Sequence, residues 1–569
     1  MARKEWTRIR IDSTALPIPD DTAPPPPSSG AAFRSTFQQT VIVSGVSTTF
    51  IIILDKKYWT GRFITGPDGG DWWIQTLTET GPVSSVTINS ISPAWTGVAN
   101  GTMLDIPWGT HQGFADPPYS TNATPNQLGS KLYDAALRKT FPLTVTPNVG
   151  LGGSTVTHGR TKNGPITEFG GNKGGTGDTQ SNPIHLCHCP ITILSSAPPD
   201  GSFRPNPYNA PKTIHNISSV APQKAFFSLR LAVPGPDDAG RSVTPPTLAE
   251  CLSRLEPLWT ECVGKKPDGS ITANGDRRQF HGPCLFGNQG HDPNDLNIYS
   301  AQAWLRLLLD WTPAEEATRD KVLHNLIQKG IDFYGWCEAG ATWGMTTGHQ
   351  GSGLMGNIAM AATALNYPQM FAMLADTSNW PGTAFPKNAV RFTEFNKTIQ
   401  MEDASLGFGY NGSLYPPTTA NKGTWPETLS APIPSYVYKG VSRRRIIGCD
   451  QWYGISAGAG IQRNADNWLS YINAGTTNSW AGFALILTIL KQAHPTISDP
   501  RVRVGHEEFF LRTDDHIESM SPARGDLTVL AQKINRFQDV FTAMMWDTYR
   551  DNYVTEYPIY TEPRLQPLP

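Results

Sequence analysis

The apolar residues of this chain change their period partway along, and that change restricts the folds open to it. From Phe33 to about Val145, β-branched and polar residues alternate in short runs such as QQTVIVSGVSTTFIIILD and SSVTINSISPAW. Turns spelled PDGGD, TGP and ANG separate them, as expected of half-buried strands. After Pro245 and Pro246 the spacing becomes helical. Ser300, Ala303, Trp304, Leu307, Leu308 and Trp311 fall at i, i+3, i+4, i+7, i+8 and i+11, which places one face of a helix against a core. Thr312-Pro313-Ala314-Glu315 then spells a capping box with proline at the tolerated first position. Leu323, Leu326, Ile327 and Tyr334 mark the inner face of the helix that follows.

The predicted fold class is therefore multidomain, with N-terminal β-rich domains followed by an α-helical toroid-like domain carrying a β-rich insertion. Residues 1–32, with Pro24 to Pro27 in series, read as an extended arm, and 33–145 as a β-rich domain. Residues 146–244 read as Gly/Pro-rich loops with a second β-layer. Within them, 146–182 have too little apolar surface to fold around themselves and are expected to be a surface loop or intersubunit contact. Residues 245–555 read as the helical domain with an insertion at 380–471, and 556–569 as a tail. The run SWAGFALILTIL is apolar nearly all round, which requires a covered helix.

Composition excludes some functions. With 46 Lys plus Arg against 48 Asp plus Glu, the net charge is -2 and no basic stripe offers counterion release, so nucleic acid is not an expected partner. Only 17% of residues are charged, while Gly (53), Pro (48) and Trp (17) are abundant, a balance suited to ordered loops and aromatic surfaces that bind sugars. The N-terminus lacks the apolar core of a signal peptide, and no stretch suits a membrane span. Seven scattered cysteines suit free thiols in a reducing cytoplasm.

Chemistry-bearing residues concentrate around Gly335 to Met370, where a glycine-rich, aromatic turn holding His349 leads into an apolar helical run. An imidazole in a loop titrates near neutral pH and serves as base or neutraliser. Tyr453 in CDQWYG and Tyr410 in GFGYNG are the accompanying acid and base candidates. Trp343 and Trp452 supply stacking faces. Arg443 and Arg445, alternate members of an Arg-Arg-Arg run, present forked donors to carboxylates. Asn297, closing GNQGHDPNDLN, completes the substrate-binding set. A hydrolase would instead draw two carboxylic acids from Glu338, Glu402, Asp403 and Asp450. The string His185-x-Cys187-His188-Cys189 splits across two faces of a strand, so no metal site is expected, and no motif calls for a cofactor. The tryptophans Trp59, Trp72, Trp73, Trp95 and Trp108 read as core before binding face.

The segment WGMTTGHQGSGLMGNIAMAATALNYPQM, with SWAGFALILTIL and HEEFFLRTDDHIESM farther on, resembles the (α/α) toroid domains of polysaccharide lyases and related hydrolases, of the heparinase and alginate-lyase type. The resemblance implies a ring of helical hairpins around a glycan groove. Leu354 and Met355 stand where that pattern carries a basic pair, which favours a non-catalytic scaffold. Three functions remain open. The first is a tailed-phage virion protein, made in the host cytoplasm, that binds a bacterial surface polysaccharide and depolymerises it as lyase or hydrolase. It would sit among other tail proteins as a homo-oligomer. The second is a structural tail fibre or receptor-binding protein without catalysis. The third is an intracellular glycan-processing enzyme.

Overall fold

A computed structural model describes residues 30–43, 46–97, 99–107, 113–114, 134–163, 184–220, 224–237, 240–256, 294–340, 354–376, 435–438, 441–444, 478–493 and 539–553, with Ser378, Pro381, Lys387 and Arg391. Nine strands form one mixed sheet: β1 (Ala32–Val43), β2 (Val46–Arg62), β3 (Trp72–Thr78), β4 (Gly81–Pro82), β5 (Val86–Ser92), β6 (Thr102–Leu104), β7 (Leu143–Val145), β8 (Ser154–Asn163) and β9 (Ile184–Leu194). Their order is β6-β8-β9-β3-β2-β5-β7, with β1 on β2 and β4 on β3. Every pairing is antiparallel except β3 with β9. Register shifts at Arg34/Thr36, Ile53/Leu54 and Tyr58/Thr60 bend β1 and β2, as bulges do, and the sheet curls into a half-barrel.

The helices are α1 (Ile217–Val220), α2 (Leu248–Leu255), α3 (Asn294–Leu308), α4 (Glu316–Glu338), α5 (Leu354–Leu365), α6 (Pro368–Leu374), α7 (Asn478–Ala493) and α8 (Val540–Tyr553). The helical periodicity is realised in α3, where Ser300, Ala303, Trp304, Leu307 and Leu308 are buried. Before α4 the Glu315 carboxylate accepts from the Thr312 amide at 2.8 Å and its hydroxyl at 2.9 Å. Residues Pro313–Glu315 are nevertheless a tight 3-10 turn ahead of the α-helix. In α7 the run from Ala481 to Leu490 is buried at every position, as its uniform apolarity required.

The predicted division into β domains followed by an α/α toroid is not what forms. Among the described residues 37% are helical and 27% are in strands, so the sheet is no small appendage to a helical ring. One buried cluster runs without a break from Phe37, Ile52 and Ile74 of the sheet through Trp304, Leu326 and Ile358 to Phe483 and Trp546 of the helices. Sheet and helices share a core because α4 lies against the residues that follow β9. The expected loop at 146–182 is corrected in its first part. β8 occupies Ser154–Asn163, with Ser154 to His158 buried. Its threonines satisfy the ladder through their backbones, so the low apolar content that suggested a loop did not prevent a strand. The anticipated second layer at 184–194 is β9, paired in the same sheet.

The junction is held by charge. Arg204 donates from Nε to Asp71 Oδ2 at 2.7 Å, and from Nη1 and Nη2 to the two oxygens of Asp332 at 3.0 and 2.8 Å. All three side chains are at most 5% exposed. Asp71 enters β3 and Asp332 belongs to α4, so one guanidinium fastens sheet to helix. Gln39 donates to Asp71 at 2.7 Å, and Gln328 donates to Asp332 at 3.2 Å and to the Arg204 carbonyl at 2.8 Å. Burial by itself lowers the Arg204 pKa, but the two carboxylates outweigh it and keep the guanidinium charged. Burial pushes Asp71 up, against the pull of Arg204 and the Gln39 hydrogen bond.

Removing one member of a buried ion group strands the others, at a cost of about 3–5 kcal/mol. Arg204→Met, which leaves Asp71 and Asp332 facing each other in the core, is expected to lower denaturant stability by about that amount. Lys57→Ala, at a pair in which both side chains are about half exposed, is expected to change it by less than about 1 kcal/mol. Equal losses from both substitutions would show that the buried group does not fasten the junction.

Candidate functional site

The last turn of α4 carries a strongly perturbed carboxyl. Glu338 closes the helix, where the exposed carbonyls and the helix dipole repel negative charge. It is half-buried, and burial pushes its pKa up from the ordinary carboxylate range to about 7. The Tyr334 hydroxyl, one turn earlier, hydrogen-bonds the carboxylate, and Arg391 and Lys212 add positive charge; all three pull the value back down. Neither burial nor a helix C-terminus suits a carboxylate that serves only to stabilise the fold, so the position is a candidate for function.

The surrounding residues are fixed. Tyr334 is buried and meets the Tyr367 ring edge-on at 6.0 Å and 86°, and Tyr367 meets His215 at 4.5 Å and 80°. Burial and the Glu338 charge raise the Tyr334 pKa, so its hydroxyl remains a hydrogen-bond donor. Lys212 is fully enclosed, donates to the Tyr208 carbonyl, and lies 3.3 Å from Asp105. Burial lowers its pKa to about 8 despite that partner. Burial also lowers His215 to about 4, so it is a neutral ring here. Gly335 lets the chain after β9 approach, since a Cβ there would overlap the Asn206 side chain. Near neutral pH the site thus offers a carboxyl exchanging its proton, a tyrosine hydroxyl on it and two cations nearby, which suits general acid–base work.

Most of the residues predicted to form the site lie outside the described ones. His349, Trp343, Tyr410, Tyr453, Trp452 and Arg445 lie outside the described residues. Arg443 is in the strand Val441–Arg444 and Asn297 in α3, and the described part of the structure extends to their backbones only. Trp336, on the last turns of α4, is fully buried and packs on Tyr208 at 5.2 Å, so it cannot face a sugar. Trp59, Trp72 and Trp73 are core residues, while Trp95 stacks under Arg138. Cys187 and Cys189 point into the core and His188 lies against Phe114 on the other face of β9. Among the described residues no group of three or more His, Cys, Asp or Glu is placed to hold a metal. No described helix is long and apolar enough to cross a membrane.

Glu338 was one carboxylate among several in the sequence, and Tyr334 read as a core residue. The i, i+4 spacing of Tyr334 and Glu338 beside the glycine-rich segment was the available signal. Lys212 and Asp105 carried none. Comparison of the chain with family models, curated proteins and solved structures finds no match.

The Glu338 value sets a pH dependence. Because its folded-state pKa lies above the unfolded value of about 4.5, the folded protein holds this proton more tightly between those values. The contribution of this group therefore favours folding below about 4.5 and is lost as pH rises to about 7. Difference infrared spectra of wild type against Glu338→Gln are expected to show a carboxyl titrating near 7. Tyr334→Phe, which removes a donor to the charged form, is expected to move that midpoint higher. A midpoint near 4.5, unmoved by Tyr334→Phe, would contradict the site.

Proposed function

We propose that this is a virion-associated protein that binds a bacterial surface polysaccharide and cleaves it with Glu338 as proton donor. The observation that carries the reading is the half-buried carboxyl at the end of α4, raised to about 7 and hydrogen-bonded by Tyr334. Cleavage of a glycosidic bond, by water or by elimination, requires a proton for the departing oxygen, and a carboxyl titrating near neutral pH delivers one efficiently. Tyr334 holds the carboxyl in place. Lys212 and Arg391, each paired with its own aspartate, Asp105 and Asp376, lower the cost of the ionised carboxylate. Low charge and abundant Gly, Pro and Trp agree with a glycan substrate.

A structural receptor-binding role without catalysis is the second reading, favoured by Leu354 and Met355, which stand where the resembled lyases carry a basic pair.

Incubating the full-length protein with acidic and neutral bacterial polysaccharides tests the first reading. New reducing ends report hydrolysis or elimination, and absorbance of unsaturated uronates reports elimination alone. Glu338→Gln is expected to reduce turnover by about 100-fold or more, in line with the worth of a general acid, with glycan binding and circular dichroism retained. Wild-type turnover is expected to fall as pH rises above about 7, when the donor proton is lost. Binding without product from any glycan would remove catalysis and leave the second reading.

A further inference from the structure

The two cations that act on Glu338 are not held alike. Arg391 Nη1 lies 3.7 Å from Asp376 Oδ2, which Lys387 also approaches at 3.4 Å. A guanidinium stays ionised whether or not a carboxylate is beside it. Lys212 is different. Its side chain has no exposed surface, and an ammonium taken out of water gives up its proton unless a counter-charge retains it. Asp105 stands 3.3 Å away as that counter-charge. Even with this partner, burial lowers the Lys212 pKa to about 8, so loss of the partner would leave it uncharged near neutral pH.

Two pieces of chain are shaped to bring this pair together. Asp105 directly follows β6 with φ at +41°, a left-handed conformation that a residue with a side chain keeps only where its surroundings hold it. Thr155 of β8 holds it twice: its carbonyl accepts from the Asp105 amide at 2.9 Å, and its amide donates to Asp105 Oδ1 at 2.8 Å. Lys212 ends a loop that closes on itself and on α4. Asn206 donates to the Pro211 carbonyl at 2.7 Å and fills the space at Gly335, Tyr208 packs on Trp336, and Lys212 donates to the Tyr208 carbonyl. The Lys212 amide donates to the Leu151 carbonyl at 2.6 Å. The ammonium is thereby fixed at the C-terminal end of α4, where it and the Glu338 carboxylate attract each other.

We infer that Asp105 is a positioning residue for the acid at the end of α4: it acts through Lys212, keeping an ammonium charged beside the carboxylate that Glu338 becomes when its proton passes to the departing oxygen. This role rests on Glu338 being the proton donor, whereas the coupling of charges is present without a substrate. The sign of the effect separates it from a direct one. Removing the Asp105 charge directly would relieve repulsion and ease the ionisation of Glu338. Removing it through Lys212 deprives the carboxylate of a cation and hinders ionisation. The other groups that act on the pair are Tyr334 and Arg391 on Glu338 and Arg204 on Lys212, with Tyr367 and the neutral His215 beyond Tyr334.

Infrared titration of the full-length protein, with each variant subtracted from the same variant carrying Glu338→Gln, reads the carboxyl without substrate. Asp105→Asn keeps the acceptor for the Thr155 amide and a residue type that adopts the left-handed backbone. It is expected to move the Glu338 midpoint up from about 7 by on the order of one pH unit. Lys212→Met is expected to move it up at least as far, and the two substitutions together no further than Lys212→Met alone. Asp376→Asn, which leaves Arg391 charged, is expected not to raise it. A midpoint in Asp105→Asn at or below the wild-type value would overturn the inference, as would an equal rise in Asp376→Asn or additive rises in the double variant. Should Lys212→Met fail to fold, the sign in Asp105→Asn decides by itself. With a glycan that is cleaved, the pH above which turnover falls is expected to rise in Asp105→Asn together with the midpoint. A raised midpoint in a protein that cleaves no glycan would uphold the coupling and remove the proton-donor role; cleavage with an unmoved midpoint would do the reverse.

Discussion

A single buried guanidinium decides how this molecule is put together. Arg204 stands between Asp71 at the start of β3 and Asp332 in α4, with no water-facing route for any of the three charges. An arrangement of this kind adds little net stability, because desolvating three ions costs about as much as their attraction returns. Its effect is selective: any packing that separates sheet from helix leaves a bare charge in hydrocarbon. The apolar contacts around it, from Trp72 to Trp336, are non-directional and would tolerate several relative placements. The ion group tolerates one. Gln39, Gln328 and Thr65 extend the same constraint by filling the remaining lone pairs and donors.

That fastening also positions α4, and with it the acid at its end. Asp332 is locked to the sheet, so the two turns beyond it carry Tyr334 and Glu338 to a fixed place beside Lys212 and Tyr367. The site therefore sits on the rigid side of the molecule, with its carboxyl perturbed by burial and by the helix terminus together. Polar side chains also seal the β1 edge of the sheet, where Arg62 and Trp72 donate to the Gln38 carbonyl and Asp68 accepts from the Thr40 amide.

How much of this was legible varies by element, and for physical reasons. The α3 helix could be read because its apolar residues repeat with the helical period, and the Thr312–Glu315 box because the two groups that satisfy each other are three residues apart. β8 could not be read, since its Ser, Thr and His residues are buried by partners far away: Thr102 meets His158 at 2.7 Å across 56 positions. The candidate acid was half visible. Glu338 could be named, but its burial depends on Lys212 and Tyr367, which approach only through the fold. The toroid expectation arose from the same source, because helical hairpins look alike in sequence whether they close a ring or cover a sheet.

Sequence by itself therefore determined that strands precede helices, where α3 and α4 begin, that α7 is covered, and that the chain is nearly neutral, because each depends on neighbours within a few residues or on composition alone. Only the tertiary structure decided that sheet and helices share one core, that Glu338 ends in a half-buried cluster, and that Asp105 meets Lys212. Burial and charge pairing join residues more than a hundred positions apart, as Arg204 joins Asp71 and Asp332, and no local pattern records which of those partners will meet.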